Sequence, residues 1–116
     1  MTIGVIKETA ELERRVALSP DVAGKMVKAG HKVLVEKDAG ASSSYPDQMY
    51  EEEGAIVIPD RLSILKESRI LTAVQCPDPA DLKQIPVGSL LISFIWALQN
   101  PELVGLFQQQ KITALG

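Results

Sequence analysis

The chain contains one cysteine, Cys76, and one histidine, His31. An internal disulfide and a cysteine-built metal site are therefore excluded, and a single histidine cannot supply a metal cluster. A reducing compartment fits this usage. Long apolar runs are also lacking: the longest, Leu90 to Leu98, is about half of the roughly twenty residues that a membrane helix needs. No charged, apolar and small-residue leader precedes the first strand pattern, and no Arg-rich, acid-poor presequence is present, so cytoplasmic exposure is the default expectation. There is no basic stripe either. Twelve Lys and Arg are interspersed with fifteen Asp and Glu, for a net charge of -3, which argues against a nucleic-acid partner. Neither Gly-x-Gly-x-x-Gly nor Gly-x-x-x-x-Gly-Lys-Ser/Thr occurs, so the usual dinucleotide and nucleotide loops are missing.

What is present is enough apolar material, 46% of 116 residues, for one core of ordinary domain size. Strand and helix patterns alternate over short connections, which predicts an α/β fold. The expected architecture is a Rossmann-like, open, mostly parallel sheet of about six strands with flanking helices, in the order βαβαβαββαβ. Strands are expected at residues 3–6, 32–36, 55–58, 69–75, 90–95 and 112–115. Ser19-Pro20-Asp21 is a helix start built from a cap, a proline that forfeits no bonded N–H and an acid at the positive helix end. Val22, Met26 and Ala29 then mark a core stripe, and Gly30 the stop. Further helices are expected at 46–53, at about 60–67, and from Asn100-Pro101-Glu102, with Leu103, Leu106 and Phe107 on one side.

Ligands of open α/β sheets sit at the carboxyl ends of the strands. Arg15, in the charged loop between the first strand and the first helix, is therefore the leading binding candidate, unless it simply pairs with Glu8, Glu11 or Glu13 in a solvated turn. Gln75 ends the fourth strand, where Pro77 and Pro79 fix the exit of the chain. Trp96 follows the fifth strand and belongs either to the core or to the wall of the same cleft. Cys76 has no basic neighbour in sequence to lower its pKa and reads as a neutral, partly buried thiol. His31 reads as a polar connector and Glu51-Glu52-Glu53 as a solvated face. The small residues of Asp38 to Ser44 would let a backbone approach a ligand.

Gly4-Val5-Ile6-Lys7-Glu8, Arg15-Val16-Ala17-Leu18-Ser19-Pro20, Gly30-His31-Lys32-Val33-Leu34-Val35-Glu36, Ala39-Gly40 and Gly54-Ala55 together resemble the amino-terminal region of the alanine dehydrogenase and nicotinamide nucleotide transhydrogenase superfamily. In alanine dehydrogenases the resemblance implies a substrate domain. Its Arg-Val-Ala arginine holds the substrate carboxylate, while a lysine after strand four and a histidine after strand five assist the chemistry. Arg15 matches the first; Gln75 and Trp96 stand at the other two. Glutamine offers no ammonium, and indole cannot shuttle protons near neutral pH.

The stretch Leu91-Ile92-Ser93-Phe94-Ile95-Trp96 with Gln99-Asn100-Pro101-Glu102-Leu103 looks more like the alpha subunit of the proton-translocating transhydrogenase. The resemblance then implies hydride transfer between NAD(H) and NADP(H) in a full assembly, with residues 1–116 as the first subdomain of the NAD(H)-binding component and one wall of its cleft. NAD(H) is expected on the full component and no cofactor on this segment alone. No residue here is expected to be catalytic and none to bind metal; Arg15, Gln75 and Trp96 are the cleft-facing candidates. Implied partners are the remainder of that component, as a homodimer, the NADP-binding component and a membrane subunit. The location would be the cytoplasmic face, peripheral to the inner membrane. The competing readings are the substrate domain of an alanine-type amino-acid dehydrogenase and a non-catalytic flavodoxin-like interaction module.

Overall fold

In a computed structural model the described residues are 1–8, 13–75, 77, 79–94 and 113–115. The strands are β1 (Thr2–Val5), β2 (Lys32–Glu36), β3 (Ile56–Ile58), β4 (Ile70–Gln75), β5 (Leu90–Phe94) and β6 (Thr113–Leu115). The helices are α1 (Pro20–Lys28), α2 (Asp47–Glu52), α3 (Arg61–Glu67) and α4 (Pro79–Leu82). The strands form one sheet in the order β3-β2-β1-β4-β5-β6, and each neighbouring pair is parallel. The expected α/β architecture is therefore observed, with strand order reversing between β1 and β4. That reversal is the topological switch point, in front of which such sheets bind ligands.

Local chemistry explains most element ends. The Ser19 hydroxyl accepts the Val22 N–H at 3.3 Å, with Pro20 and Asp21 in the first turn and Lys25 and Lys28 in the last. Gly30 leaves the helix at φ 97°, a conformation that glycine adopts without a Cβ penalty. Asp60 caps α3 by accepting the Leu62 N–H at 3.1 Å. Its carboxyl is held below the ordinary range, chiefly by the Ser63 hydroxyl.

Two expectations are corrected. The buried side of α1 is Pro20, Ala23 and Gly24, with Met26 and Val27 packed beside them, whereas Ala29 is exposed. The small residues Ala23 and Gly24 face inward, and Gly24 lies against the side chain of Glu53 just beyond α2. Between β4 and β5, where a direct strand-to-strand link was expected, the chain inserts α4. Its signal was the Pro79 start with Asp81 in the first turn, too short a segment to show helical periodicity.

Each face of the sheet has its own core. Ile3, Val5, Val33, Val35, Ala23, Ala55 and Tyr50 form one, with α1 and α2. Ile6, Leu34, Leu71, Leu91, Ile64, Leu65 and Leu82 form the other, with α3 and α4. Helices on both faces are the arrangement that a parallel sheet requires, since its strands are apolar on both sides. Among the described residues no helix is long and apolar enough to cross a membrane.

Candidate functional site

The connection from β1 to α1 carries Arg15 along the carboxyl edge of the sheet. There a cleft of about 530 Å³ is lined by Arg15, Val16, Ala17 and Leu18 from that connection, by Thr72, Ala73 and Val74 from β4, and by Ile92 and Ser93 from β5. Three consecutive residues of a regular strand cannot share one face; β4 manages it through a register shift. Thr72 pairs with Ile92 but Gln75 with Phe94, so β4 carries one residue more than its partner over this stretch, the signature of a bulge. The Val74 N–H donates to Glu8 Oε2 at 2.9 Å. Glu8, just beyond β1, thus meets a backbone donor of the bulge.

Arg15 is anchored by its neighbour. Its Nε and Nη2 donate to the two oxygens of Glu13 at 2.9 Å each, and its backbone N–H adds a third bond at 3.0 Å. The Glu13 side chain is only 6% exposed, while that of Arg15 is 64% exposed. The pairing foreseen as an alternative to ligand binding is therefore present, yet it coexists with a place in the cleft wall. A nearly buried carboxylate grips one edge of the guanidinium in a fork. Hydrogen bonding and charge from Glu13, with a smaller contribution from Glu8, hold the guanidinium above its ordinary range.

The arginine loop is braced from behind. The Ser43 hydroxyl donates to the carbonyl of Arg14, and the Tyr50 hydroxyl donates to that of Leu18 at 2.8 Å. Residues 38–44, read from sequence as a loop able to approach a ligand, thus support the arginine loop through Ser43. Gly40 has a packing reason: a Cβ there would lie 2.7 Å from the Tyr45 carbonyl and 2.8 Å from the Tyr50 ring. Tyr50 is fully buried, and burial pushes its phenol up to about 12. Stability should therefore fall as pH rises from about 10, where the unfolded phenol ionises, to about 12, because the folded state retains the proton longer. Tyr50→Phe should remove that component and loosen the arginine loop while the core stays folded. Alkaline melts and amide exchange over residues 13–18 check both; unchanged exchange would show that the phenol does not brace the loop.

The switch-point side of the edge is filled by the protein's own charges. Arg61 Nη1 donates to Glu36 Oε1 at 2.6 Å and to the Lys7 carbonyl at 2.9 Å, and its Nη2 donates to Asp81 Oδ2 at 2.7 Å. The Lys7 N–H also donates to Glu36, at 2.7 Å. In dinucleotide folds an acid beyond the second strand takes a ribose hydroxyl; here Glu36 at the end of β2 is committed to Arg61 and Lys7. Gln75 ends β4, but its side chain is not among what the structure describes. Trp96, Cys76 and the helix expected from Asn100 lie outside the described residues. Among the described residues no group of three or more His, Cys, Asp or Glu could hold a metal ion.

This architecture has close counterparts. The family model described as Alanine dehydrogenase/PNT, N-terminal domain, matches residues 4–116. The chain belongs to this family. Among relatives of the alanine dehydrogenase/PNT N-terminal domain, an NAD(P) transhydrogenase subunit alpha from Haemophilus influenzae is 38% identical over 99% of the chain and 22% of its own length. A solved L-alanine dehydrogenase superposes with TM-score 0.94 at 32% identity, covering all of this chain and 32% of that one. A transhydrogenase from Sinorhizobium meliloti superposes at 0.92 with 27% identity, over all of this chain and 34% of that one. The chain thus spans about a fifth of the curated relative and about a third of each solved structure. Backbone shape is shared by both branches and does not separate them. Arg15 and Gly40, quoted from sequence as family signals, occupy opposite sides of one brace, whereas Ser43, Tyr50 and Arg61 carried no motif signal.

Proposed function

We propose that the chain is the first subdomain of the NAD(H)-binding component of an NAD(P) transhydrogenase, the alpha subunit, with its cleft forming one wall of the nucleotide site. The observation that carries this reading is the 38% identity over nearly the whole chain to a transhydrogenase subunit alpha. Gln75 and Trp96, standing where the alanine dehydrogenase resemblance implies lysine and histidine, support the same branch. So does the carboxyl edge at the switch point, where Glu36 is committed to Arg61, which favours nucleotide held by another part of the full component.

In this reading the full component binds NAD(H), works as a homodimer and passes hydride to NADP(+) on a second component. A membrane subunit anchors the assembly at the cytoplasmic face of the inner membrane. Arg15 faces the cleft without taking part in bond making. The full native protein, assembled with its partners, should transfer hydride between NADH and an NADP(+) analogue and should form no NADH from L-alanine and NAD(+). Alanine-dependent NADH formation would replace this assignment with that of an amino-acid dehydrogenase. Residues 1–116 alone should show no saturable NADH fluorescence change in the micromolar range.

A further inference from the structure

Four serine and threonine side chains are buried among the described residues, those of Ser68, Thr72, Ser89 and Ser93. Three have internal acceptors: Ser68 donates to the Ile64 carbonyl, Thr72 to that of Gly4 at 2.8 Å, and Ser89 to that of Ser68 at 3.3 Å. Ser93 Oγ has no hydrogen-bond partner although the residue is only 6% exposed. Leaving a buried hydroxyl unpaired costs stability, and native folds rarely tolerate it without a reason. Ser93 also lines the cleft that Arg15 borders, between apolar walls from Val16, Leu18, Val74 and Ile92. The hydroxyl of Thr72, in the same lining, is already committed to Gly4. An apolar cleft with a few convergent polar groups is the usual form of a small-molecule site.

We infer that Ser93 is a ligand-contacting, specificity-determining residue of this cleft, its hydroxyl donating to the acyl oxygen of a small planar group that enters beside Arg15. The inference rests on the reading above. If the cleft is one wall of a nucleotide site, the acyl group is the carboxamide of the nicotinamide ring; a free 2-oxo acid would offer the same carbonyl chemistry. A volume of about 530 Å³ accommodates either.

The test uses the full native protein and its Ser93→Ala and Ser93→Thr variants. Without ligand, Ser93→Ala should melt at or above the wild-type temperature, since no internal hydrogen bond is lost. Its affinity for NADH should fall about tenfold, the worth of one hydrogen bond in a desolvated site. Affinity for ADP-ribose, which lacks the nicotinamide, should be unchanged, and Ser93→Thr should restore NADH binding. A loss of pyruvate binding in Ser93→Ala, with NADH unaffected, would support the Ser93 contact while replacing the transhydrogenase reading. Equal affinities of wild type and Ser93→Ala for NADH and pyruvate would overturn the inference and leave that reading intact. A lowered melting temperature of unliganded Ser93→Ala would overturn it as well, and a wild type that binds neither probe would overturn both.

Discussion

Gly4→Ala should destabilise the protein by about 3 kcal/mol, at the upper end of what overpacking a core usually costs. Gly4 lies in the central strand β1, paired with Leu34 on one side and Leu71 on the other. A Cβ at this position would stand 2.0 Å from Ser68 Oγ, 3.0 Å from Ile64 Cγ2 and 3.1 Å from Ser68 Cβ. Ser68 cannot swing clear: it is fully buried at the end of α3, its hydroxyl bonded to the Ile64 carbonyl. The inserted methyl must therefore push α3 off the sheet or displace β1 from both neighbours. Ser68→Ala in the same chain should recover only part of the loss, because the contacts to Ile64 and to the Ser68 Cβ persist. Urea melts of the two variants decide this. A Gly4→Ala protein within about 0.5 kcal/mol of wild type, the range of an ordinary surface substitution, would show that helix and strand are not in close contact here.

Arg61→Met should cost about 2–3 kcal/mol at neutral pH, somewhat below the range for breaking a fully buried pair. The side chains of Arg61, Glu36 and Asp81 are 22%, 15% and 20% exposed, so water relieves part of the penalty. Burial disfavours the guanidinium charge, but hydrogen bonding and charge from Asp81 and Glu36 outweigh it and hold the group above its ordinary range. Removing the cation leaves two carboxylates close together with one positive partner gone, and also strips the Lys7 carbonyl of a donor. Since the network ties β2, α3 and α4 to the end of β1, the damage should concentrate at the carboxyl edge. The triple variant Arg61→Met, Glu36→Gln, Asp81→Asn should regain most of the loss, as neutral replacements of an ion network often do. Denaturation midpoints of the two proteins compare these outcomes. A single variant as stable as wild type would place the network among the screened pairs of little worth.

These two sites show where sequence reading stops. Gly4 stands in a motif that carried the family resemblance, but nothing near it in sequence hints at Ser68, 64 residues away. Arg61 reads as an ordinary first residue of a helix. Its partners come from the end of β2 and from α4, a four-residue helix that sequence periodicity could not register. Ser93 likewise sits within an apolar run as one more polar interruption; only the surrounding packing shows that its hydroxyl is unpaired.

What the sequence determined by itself was local and periodic. The alternation of apolar strands with capped helices, the helix starts at Ser19 and Asp60, the exit at Gly30 and the placement of Arg15 beyond the first strand follow from neighbouring residues alone. Interactions within a few residues are encoded by spacing, which a linear text preserves. Family membership was legible for a related reason, since it rests on short motifs in fixed order. Only the tertiary structure decided the rest: the strand order 3-2-1-4-5-6, the β4 register shift with Glu8 on Val74, the Tyr50 and Ser43 brace, and the Arg61 network. Each depends on contacts between residues more than fifteen positions apart. Such contacts are selected by the packing of the whole sheet and its helices, and no local pattern specifies them.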